Sequence, residues 1–286
     1  MTTYLVTGAS GHLGRLTVQA LLERGVAASD VVATARDLDA ISDLAALGVE
    51  TRVADYTDPA SLEQAFKGVD RILLVSSSAV GQRVPQHANV IAAAKDAGVE
   101  LLGYTSITRA DSSTLALSEE HRATEELLAE SGLPVVLLRN SWYLENYTGQ
   151  VATALEHGAV LGAAGEGRVS AATRADFAAA AAAALVADDQ AGQVHELGGD
   201  TAFTLAEYAA TLAAESGTEV VYRDLPAEEL TAVLTGAGLP EPYAAILADS
   251  DLGLARGELQ ADTGDLSRLI GRPTTTPAEA IRAALA

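Results

Sequence analysis

Three glycines, Gly8, Gly11 and Gly14, fall within Thr7-Gly8-Ala9-Ser10-Gly11-His12-Leu13-Gly14, directly after the apolar run Tyr4-Leu5-Val6 and before the helical pattern Leu16 to Leu22. A strand, a glycine turn and a helix in that order form a seat for a dinucleotide pyrophosphate. Gly8 permits the tight turn, Gly11 lets backbone N–H groups reach the phosphates, and Gly14 lets the helix pack close to the strand. The helix N-terminus adds partial positive charge. Arg36 follows Ala35 at the end of the second apolar run, where a cation suits a ribose 2′-phosphate and favours NADP(H) over NAD(H). Asp37 is the competing ribose acid, but it lies beyond the strand and beside that cation.

Two further groups carry potential chemistry. Asn140, Trp142, Tyr143, Glu145 and Asn146 form a polar and aromatic cluster just past an apolar run, and Trp142 is the only tryptophan. Such a cluster either lines a pocket or packs as buried aromatics. His121 has a side chain that ordinarily titrates near neutrality, so it is a candidate proton donor. Its neighbours Glu119, Glu120 and Glu125 equally suit an exposed helix face. His87 and His157 form no ligand set with carboxylates at metal spacing, so no metal site is expected.

These residues must be held by a scaffold of alternating strands and helices. Val31 to Ala35, Thr51 to Ala54, Ile72 to Val75, Leu101 to Tyr104 and Val135 to Leu138 read as strands. Leu38 to Leu47, Ser61 to Phe66 after Asp58-Pro59, Gln86 to Ala97, and Glu119 to Ser131 before Gly132 read as helices. The alanine run Ala178 to Ala184 reads as a packed helix. Repeated βαβ units predict an α/β fold, a Rossmann-like doubly wound parallel sheet with ligand at the strand C-termini. Residues 1–150, with 171–200 returning to them, are expected to form the dinucleotide-binding domain. Residues 151–170, glycine-rich from Gly162 to Gly167, and 201–286 are expected to form a smaller C-terminal substrate-binding lobe.

Composition narrows the function. With 286 residues the chain can bury a large core, and with no cysteine it has neither disulfides nor thiolate metal sites. A net charge of −21 repels phosphate backbones and argues against nucleic-acid binding. The opening Met1-Thr2-Thr3 lacks a basic region and no apolar stretch suits a bilayer, so a cytoplasmic protein with no membrane partner is expected. A homo-oligomer is left open.

The glycine turn, Ala35-Arg36-Asp37, Ala54-Asp55-Tyr56, Ser76-Ser77-Ser78 with Val80-Gly81-Gln82-Arg83, and Leu138 to Tyr147 together resemble the NmrA-like atypical short-chain dehydrogenase/reductases, nearest to bacterial NAD(P)H:quinone oxidoreductases of type 2. The resemblance extends through Gly162-Ala163-Ala164-Gly165, Ala172 to Asp176, Ala248 to Asp251 and Gly271 to Thr276. It implies that Gly8, Ser10, Gly11, His12 and Leu13 hold the pyrophosphate of NADPH and that Arg36 holds its adenosine phosphate. It also implies that Ser76, Ser77, Ser78, Ala79 and Val80 line the ribose and nicotinamide path, with Asn140, Ser141, Trp142, Tyr143, Leu144 and Glu145 closing over the nicotinamide.

One departure from the wider superfamily has chemical meaning. The usual Tyr-x-x-x-Lys pair is missing, and the corresponding helix carries His121-Arg122-Ala123-Thr124-Glu125. A ketone reduced by hydride becomes an alkoxide that needs a placed acid. A quinone becomes a phenolate-like anion, and a phenol has a pKa of about 10, so a weaker donor or water suffices. The expected activity is therefore direct hydride transfer from NADPH to a quinone without flavin, with His121, Tyr104 and Trp142 as catalytic candidates and Thr105 and Ser106 at the superfamily's hydroxyl position. A non-catalytic NADP(H)-binding redox sensor and a reductase of another small carbonyl or unsaturated substrate are the alternatives. Steady turnover with a quinone separates the first, and a convincing acid at the nicotinamide would favour the second.

Overall fold

The computed structural model describes residues 1–286. Nine strands form, namely β1 (Tyr4–Val6), β2 (Val31–Ala35), β3 (Glu50–Val53), β4 (Arg71–Leu74), β5 (Leu101–Ile107), β6 (Val135–Asn140), β7 (Ala159–Gly162), β8 (Val194–Leu197) and β9 (Val221–Asp224). Seven of them make one sheet in the order β3-β2-β1-β4-β5-β6-β8, and every pairing is parallel. All residues of β2 and β5 are buried, as strands covered by helices on both faces require. Helices His12–Glu23 and Arg174–Val186 cover one face with an apolar core that includes Val18, Leu21, Phe177 and Leu185. Helices Pro59–Ala65, Arg83–Ala97 and Ala116–Ser131 cover the other, around Leu62, Phe66, Val90 and Leu128. The strand order reverses between β1 and β4, which opens a crevice at their C-terminal ends.

The remaining chain forms a second, smaller lobe. β7 and β9 form a separate parallel pair, and helices Leu205–Ser216, Ala227–Gly236, Glu241–Ala255 and Pro277–Leu285 surround it. Its core joins Tyr208, Leu212, Phe203 and Ile281 to Ile107 at the end of β5 and to Ala110 and Leu115 in the segment after it, so the lobe is continuous with the sheet's C-terminal edge. β8 and the helix Arg174–Val186 belong to the sheet rather than to this lobe.

Several elements differ from the expected ones. The region Leu38 to Leu47 is not one helix: a 3₁₀ turn at Asp39–Ile41 precedes a short helix at Ser42–Ala46. The Asp37 carboxylate accepts from Asp39 N at 3.0 Å, and the Ser42 hydroxyl donates to Asp39 O at 2.9 Å, so local side chains compete for the helix's backbone groups. β7, β8 and β9 are strands beyond those expected from the sequence, and β9 is almost wholly exposed. Two glycines of the Gly162 to Gly167 run serve close packing, while Gly165 takes a left-handed backbone in open space. A Cβ on Gly162 would sit 2.6 Å from Leu205 Cδ1 and 2.8 Å from Asp251 Oδ2, and one on Gly167 would sit 2.5 Å from Leu254 O.

Beneath Gly162 lies an unusual carboxyl. Asp251 accepts from Ala163 N at 2.8 Å, and burial raises its pKa to about 6, the charge of Asp224 adding to the effect. A carboxyl whose folded pKa is raised loses stability as pH climbs from the unfolded value towards the folded one, because only the unfolded chain releases its proton there. Asp251→Asn keeps the acceptor and removes the ionisation. It is expected to raise the melting temperature, with a gain that grows from pH 4 to about pH 7 and then levels off in calorimetric scans.

Candidate active site

The crevice is a cleft of about 630 Å³, lined by residues from the C-terminal ends of β1, β2, β3 and β4 and by Tyr143 and Arg174 from beyond β6. Its floor is the first turn. Gly8 has φ of +61°, and Gly11 N donates to Gly8 O at 2.9 Å. A Cβ on Gly14 would lie 2.5 Å from Gly8 O, so the helix can approach the turn only with glycine there. The helix His12–Glu23 starts at Gly11 with no side-chain cap and no acid in its first turn. Its first N–H groups and the positive end of its dipole are left to the cleft, as an anion requires.

A hydroxyl clamp fixes the opening above this turn. Thr7 Oγ1 accepts from Val75 N at 3.0 Å and donates to Leu73 O at 3.0 Å, while Tyr56 OH contacts Thr7 Oγ1 and donates to Val75 O at 2.8 Å. Burial raises the Tyr56 pKa, so the phenol stays protonated. Arg36 is exposed on the cleft wall at the end of β2. Asp37 does not line the cleft, since its carboxylate is engaged by Asp39 N. Asp55 is held below the usual carboxylate range by hydrogen bonds from Thr57 N and Thr57 Oγ1, each at 2.8 Å, with a lesser contribution from the Arg36 charge.

The segment after β4 is held by its backbone. Ser76 N donates to Thr105 Oγ1 at 2.8 Å, and Ser77 N donates to His87 Nε2 at 3.0 Å. Gly81 N and Arg83 N donate to the Glu120 carboxylate at 3.0–3.1 Å. His87 Nδ1 faces Thr124 Oγ1 at 2.9 Å, and burial with the nearby Arg83 charge lowers its pKa to about 4. It is a neutral clamp on the loop.

The positions of the absent Tyr-x-x-x-Lys pair hold groups with other functions. His121 is buried with Nδ1 at 2.7 Å from Tyr104 OH, not exposed on its helix. Burial pushes its pKa well below the ordinary histidine value, and the charge of Arg83 adds to this. Burial likewise raises the Tyr104 pKa, so both groups are neutral at physiological pH. Glu125 is gripped by Arg139 Nε at 3.0 Å and Nη2 at 2.6 Å, and accepts from Ser106 Oγ at 2.5 Å. Arg139 also reaches Asp111 and Glu196, so its charge is spent on the scaffold.

Of the cofactor residues read from sequence, Gly8, Ser10, Gly11, His12, Leu13, Arg36, Ser76, Ser77, Ser78, Ala79 and Tyr143 line this cleft. The others do not. Val80 is exposed, Leu144 is fully buried in the lobe core, and Trp142 packs against that core. Ser141 Oγ donates to Leu259 O at 2.7 Å, Glu145 accepts from Arg174 N at 2.8 Å, and Asn140 is buried with Oδ1 unpartnered. Tyr104 and His121 lie behind the wall and outside its lining. The sequence reading gave no role to Thr57, Arg83, Gln86 and Arg174, which do line the cleft. The Arg174 guanidinium sits 4.4 Å over the Tyr143 ring. Its signal was available: Thr173-Arg174-Ala175-Asp176 is a helix start, with Thr173 Oγ1 accepting from Asp176 N at 3.1 Å, which puts Arg174 at the first helical position.

Comparison with known proteins agrees with this geometry. The model of the family described as NAD(P)H-binding matches residues 8–188. Quinone oxidoreductase 2 of Escherichia coli K12 is 49% identical over 96% of this chain and 96% of its own. The crystal structure of the E. coli NADPH-dependent quinone oxidoreductase complexed with NADPH superposes with a TM-score of 0.97 at 48% identity, covering 99% of this chain and 100% of that one. Triphenylmethane reductase from Citrobacter sp., solved with NADP(H), gives a TM-score of 0.94 at 36% identity over 99% of this chain and 100% of that one. With a glycine turn, an uncapped helix and an arginine-walled cleft on the same sheet edge, the chain belongs to the NAD(P)H-binding family.

Proposed function

We propose that this protein is an NADPH-dependent quinone oxidoreductase that delivers hydride directly to a quinone, with no flavin, in the cytoplasm. The observation that carries the reading is the replacement of the superfamily's acid pair by a neutral His121 and an ion-paired Glu125, beside a complete dinucleotide cleft. The 49% identity to E. coli quinone oxidoreductase 2 supports it. A site without a strong acid suits an acceptor whose reduced form is a stabilised phenolate, and suits an aliphatic ketone poorly.

In this reading the turn from Gly8 to Leu13, with Ser10 and His12 at its rim, holds the pyrophosphate through backbone N–H groups and the helix dipole. Arg36 binds the 2′-phosphate through charge-assisted hydrogen bonds. Ser76 to Ala79 follow the ribose, and Tyr143, fixed by Arg174 and Phe177, walls the nicotinamide end. When bound, NADPH supplies the hydride. Tyr104 and His121 support the loop wall from behind as a neutral hydrogen-bonded pair, and residues 151–170 and 201–286 close over the substrate with Trp142 at their base. The protein's work is orientation and exclusion of water.

Three outcomes test this. Arg36→Ala is expected to weaken NADPH binding about 10- to 100-fold, the worth of charge-assisted hydrogen bonds, and to leave NADH binding nearly unchanged in titration calorimetry. Equal loss for both cofactors would move Arg36 away from the ribose. Gly11→Val is expected to remain folded, since its Cβ would meet only Gly8 O at 3.3 Å, and to bind no NADPH. Unchanged affinity in the folded variant would place the phosphates elsewhere.

The third outcome concerns acid chemistry. NADPH oxidation followed by absorbance with 1,4-benzoquinone and no added flavin is expected to be steady, and slow with simple ketones. Because His121 is already neutral well below pH 6.5, the rate is expected to stay level from pH 6 to 8 rather than fall as pH rises through the ordinary histidine range. His121→Ala should then cost about tenfold, through loss of support to Tyr104, and at most about a hundredfold. Rapid ketone reduction abolished in this variant would instead make His121 an essential acid.

A further inference from the structure

One buried cation in the cleft has no ion-pair partner. Arg83 stands at the start of the helix Arg83–Ala97 with 9% of its surface exposed, and it lines the cleft between Ala79 and Gln86. Its Nε donates to Ser77 O at 2.6 Å, while Nη1 is buried and meets no acceptor. The acid held against its loop, Glu120 on the helix Ala116–Ser131, accepts from Gly81 N and from the backbone N–H of Arg83 and makes no ion pair with the guanidinium. The groups facing this cation are otherwise neutral: His87 on its own helix, Tyr104 on β5, His121 on the helix Ala116–Ser131 and Tyr143 beyond β6 all feel its charge. Glu125, on the same helix as His121, is neutralised by Arg139.

A buried guanidinium without an anion is costly to fold around, so its uncompensated charge points to a ligand that brings one. The glycine turn and Arg36 already account for the two phosphate positions of a dinucleotide, and both lie on the β1–β2 side of the crevice. Arg83 lies on the β4–β5 side, among Ser77, Tyr104 and Tyr143, where the substrate end of the cleft must be.

We infer that Arg83 is a catalytic residue whose free guanidinium edge binds the oxyanion that forms on the quinone during hydride transfer. The inference rests on the quinone reading above. In the step, the donor C–H bond breaks and its electron pair moves with the hydrogen to one quinone oxygen, forming an O–H bond. The ring becomes aromatic, and the second oxygen takes the negative charge. Arg83 holds that charge, and solvent water then protonates the oxygen to complete the hydroquinone. The cofactor loses two electrons, which the quinone gains. A fixed cation thus takes over the task that a tyrosine acid performs for ketones, by stabilising charge rather than supplying a proton.

The test uses the full protein with saturating NADP⁺ and 4-nitrophenol as a phenolate probe, read at the phenolate absorbance band. Wild type is expected to bind the phenolate at least tenfold more tightly than the phenol, which lowers the apparent pKa of the bound probe by one unit or more. Arg83→Gln should abolish that preference and cut turnover of 1,4-benzoquinone about a hundredfold, with NADPH affinity within threefold of wild type. Arg83→Lys, which keeps the charge and loses the planar fork, should retain part of both effects, and it carries the test if the glutamine variant does not fold. A folded Arg83→Gln that keeps the phenolate preference overturns the inference. So does a variant that loses NADPH affinity tenfold or more with the preference intact, since Arg83 would then serve the cofactor. Failure of wild type to bind the phenolate overturns it as well. If wild type binds the phenolate but reduces no quinone, the anion site stands and the quinone reading falls.

Discussion

The architecture depends on one close approach, that of the first helix to the turn after β1. Gly14 lies so near Gly8 O that no side chain fits between them, and Gly8 takes a left-handed backbone to allow it. That contact aims the helix N-terminus at the crevice where strand order reverses. The Thr7–Tyr56–Val75 clamp then holds β1, β4 and the β3 loop at fixed spacing around it. Loosening any of these would leave the N–H groups of the first turn without a common focus, and an anion site is only as strong as the convergence of its donors.

Electrostatics in the cleft follow from the commitments of each charge. The chain carries 39 acids against 18 lysines and arginines, so a free cation in a ligand cleft is a local exception to the charge of the whole. Arg139 is bound to Glu125, Asp111 and Glu196, and Arg174 is spread between Tyr143, Asn146 and Glu145. Arg36 and Arg83 remain, the first at the end of β2 and the second beyond β4, so the two free cations of the groove stand on different sides of the point where strand order reverses. The negative surface elsewhere favours neutral acceptors such as quinones over polyanions.

The parts of this arrangement legible in the sequence were those set by backbone demands. Gly8, Gly11 and Gly14 stood out because few residues satisfy a turn, an anion seat and a close helix at that spacing. The parallel sheet likewise followed from apolar runs between amphipathic segments, whereas β5 extends past the expected Leu101 to Tyr104 to Ile107, through the polar and buried Thr105 and Ser106. Whether His121 was exposed was not legible, because three glutamates near it suggested a solvated face while its own side chain points inward to Tyr104. The resemblance implies Asn140 to Glu145 at the nicotinamide end, and of these Tyr143 lines the cleft. In the structure Ser141 also ties down Leu259, Leu144 fills the lobe core and Glu145 caps the helix at Arg174, bonds across 118 and 29 residues that no local pattern encodes. β9 was invisible because exposed four-residue strands carry no alternation to read.

The loss of the tyrosine and lysine positions has a consequence for the rest of the site. A general acid must keep a tuned pKa, which demands water or a proton relay nearby, and such access conflicts with a dry pocket for an apolar ring. His87 packs edge to face on Tyr104 and Tyr104 packs tilted on His121, with ring centroids 5.5 and 5.9 Å apart, and all are held neutral by burial. That stack serves as a rigid wall, with Thr124 and Ser77 satisfying the polar atoms of His87. Such a wall preorganises the Ser76–Arg83 loop without itself titrating in the physiological range. The site thereby trades proton supply for fixed geometry, a trade open to an enzyme only when its product anion is stable enough to wait for water.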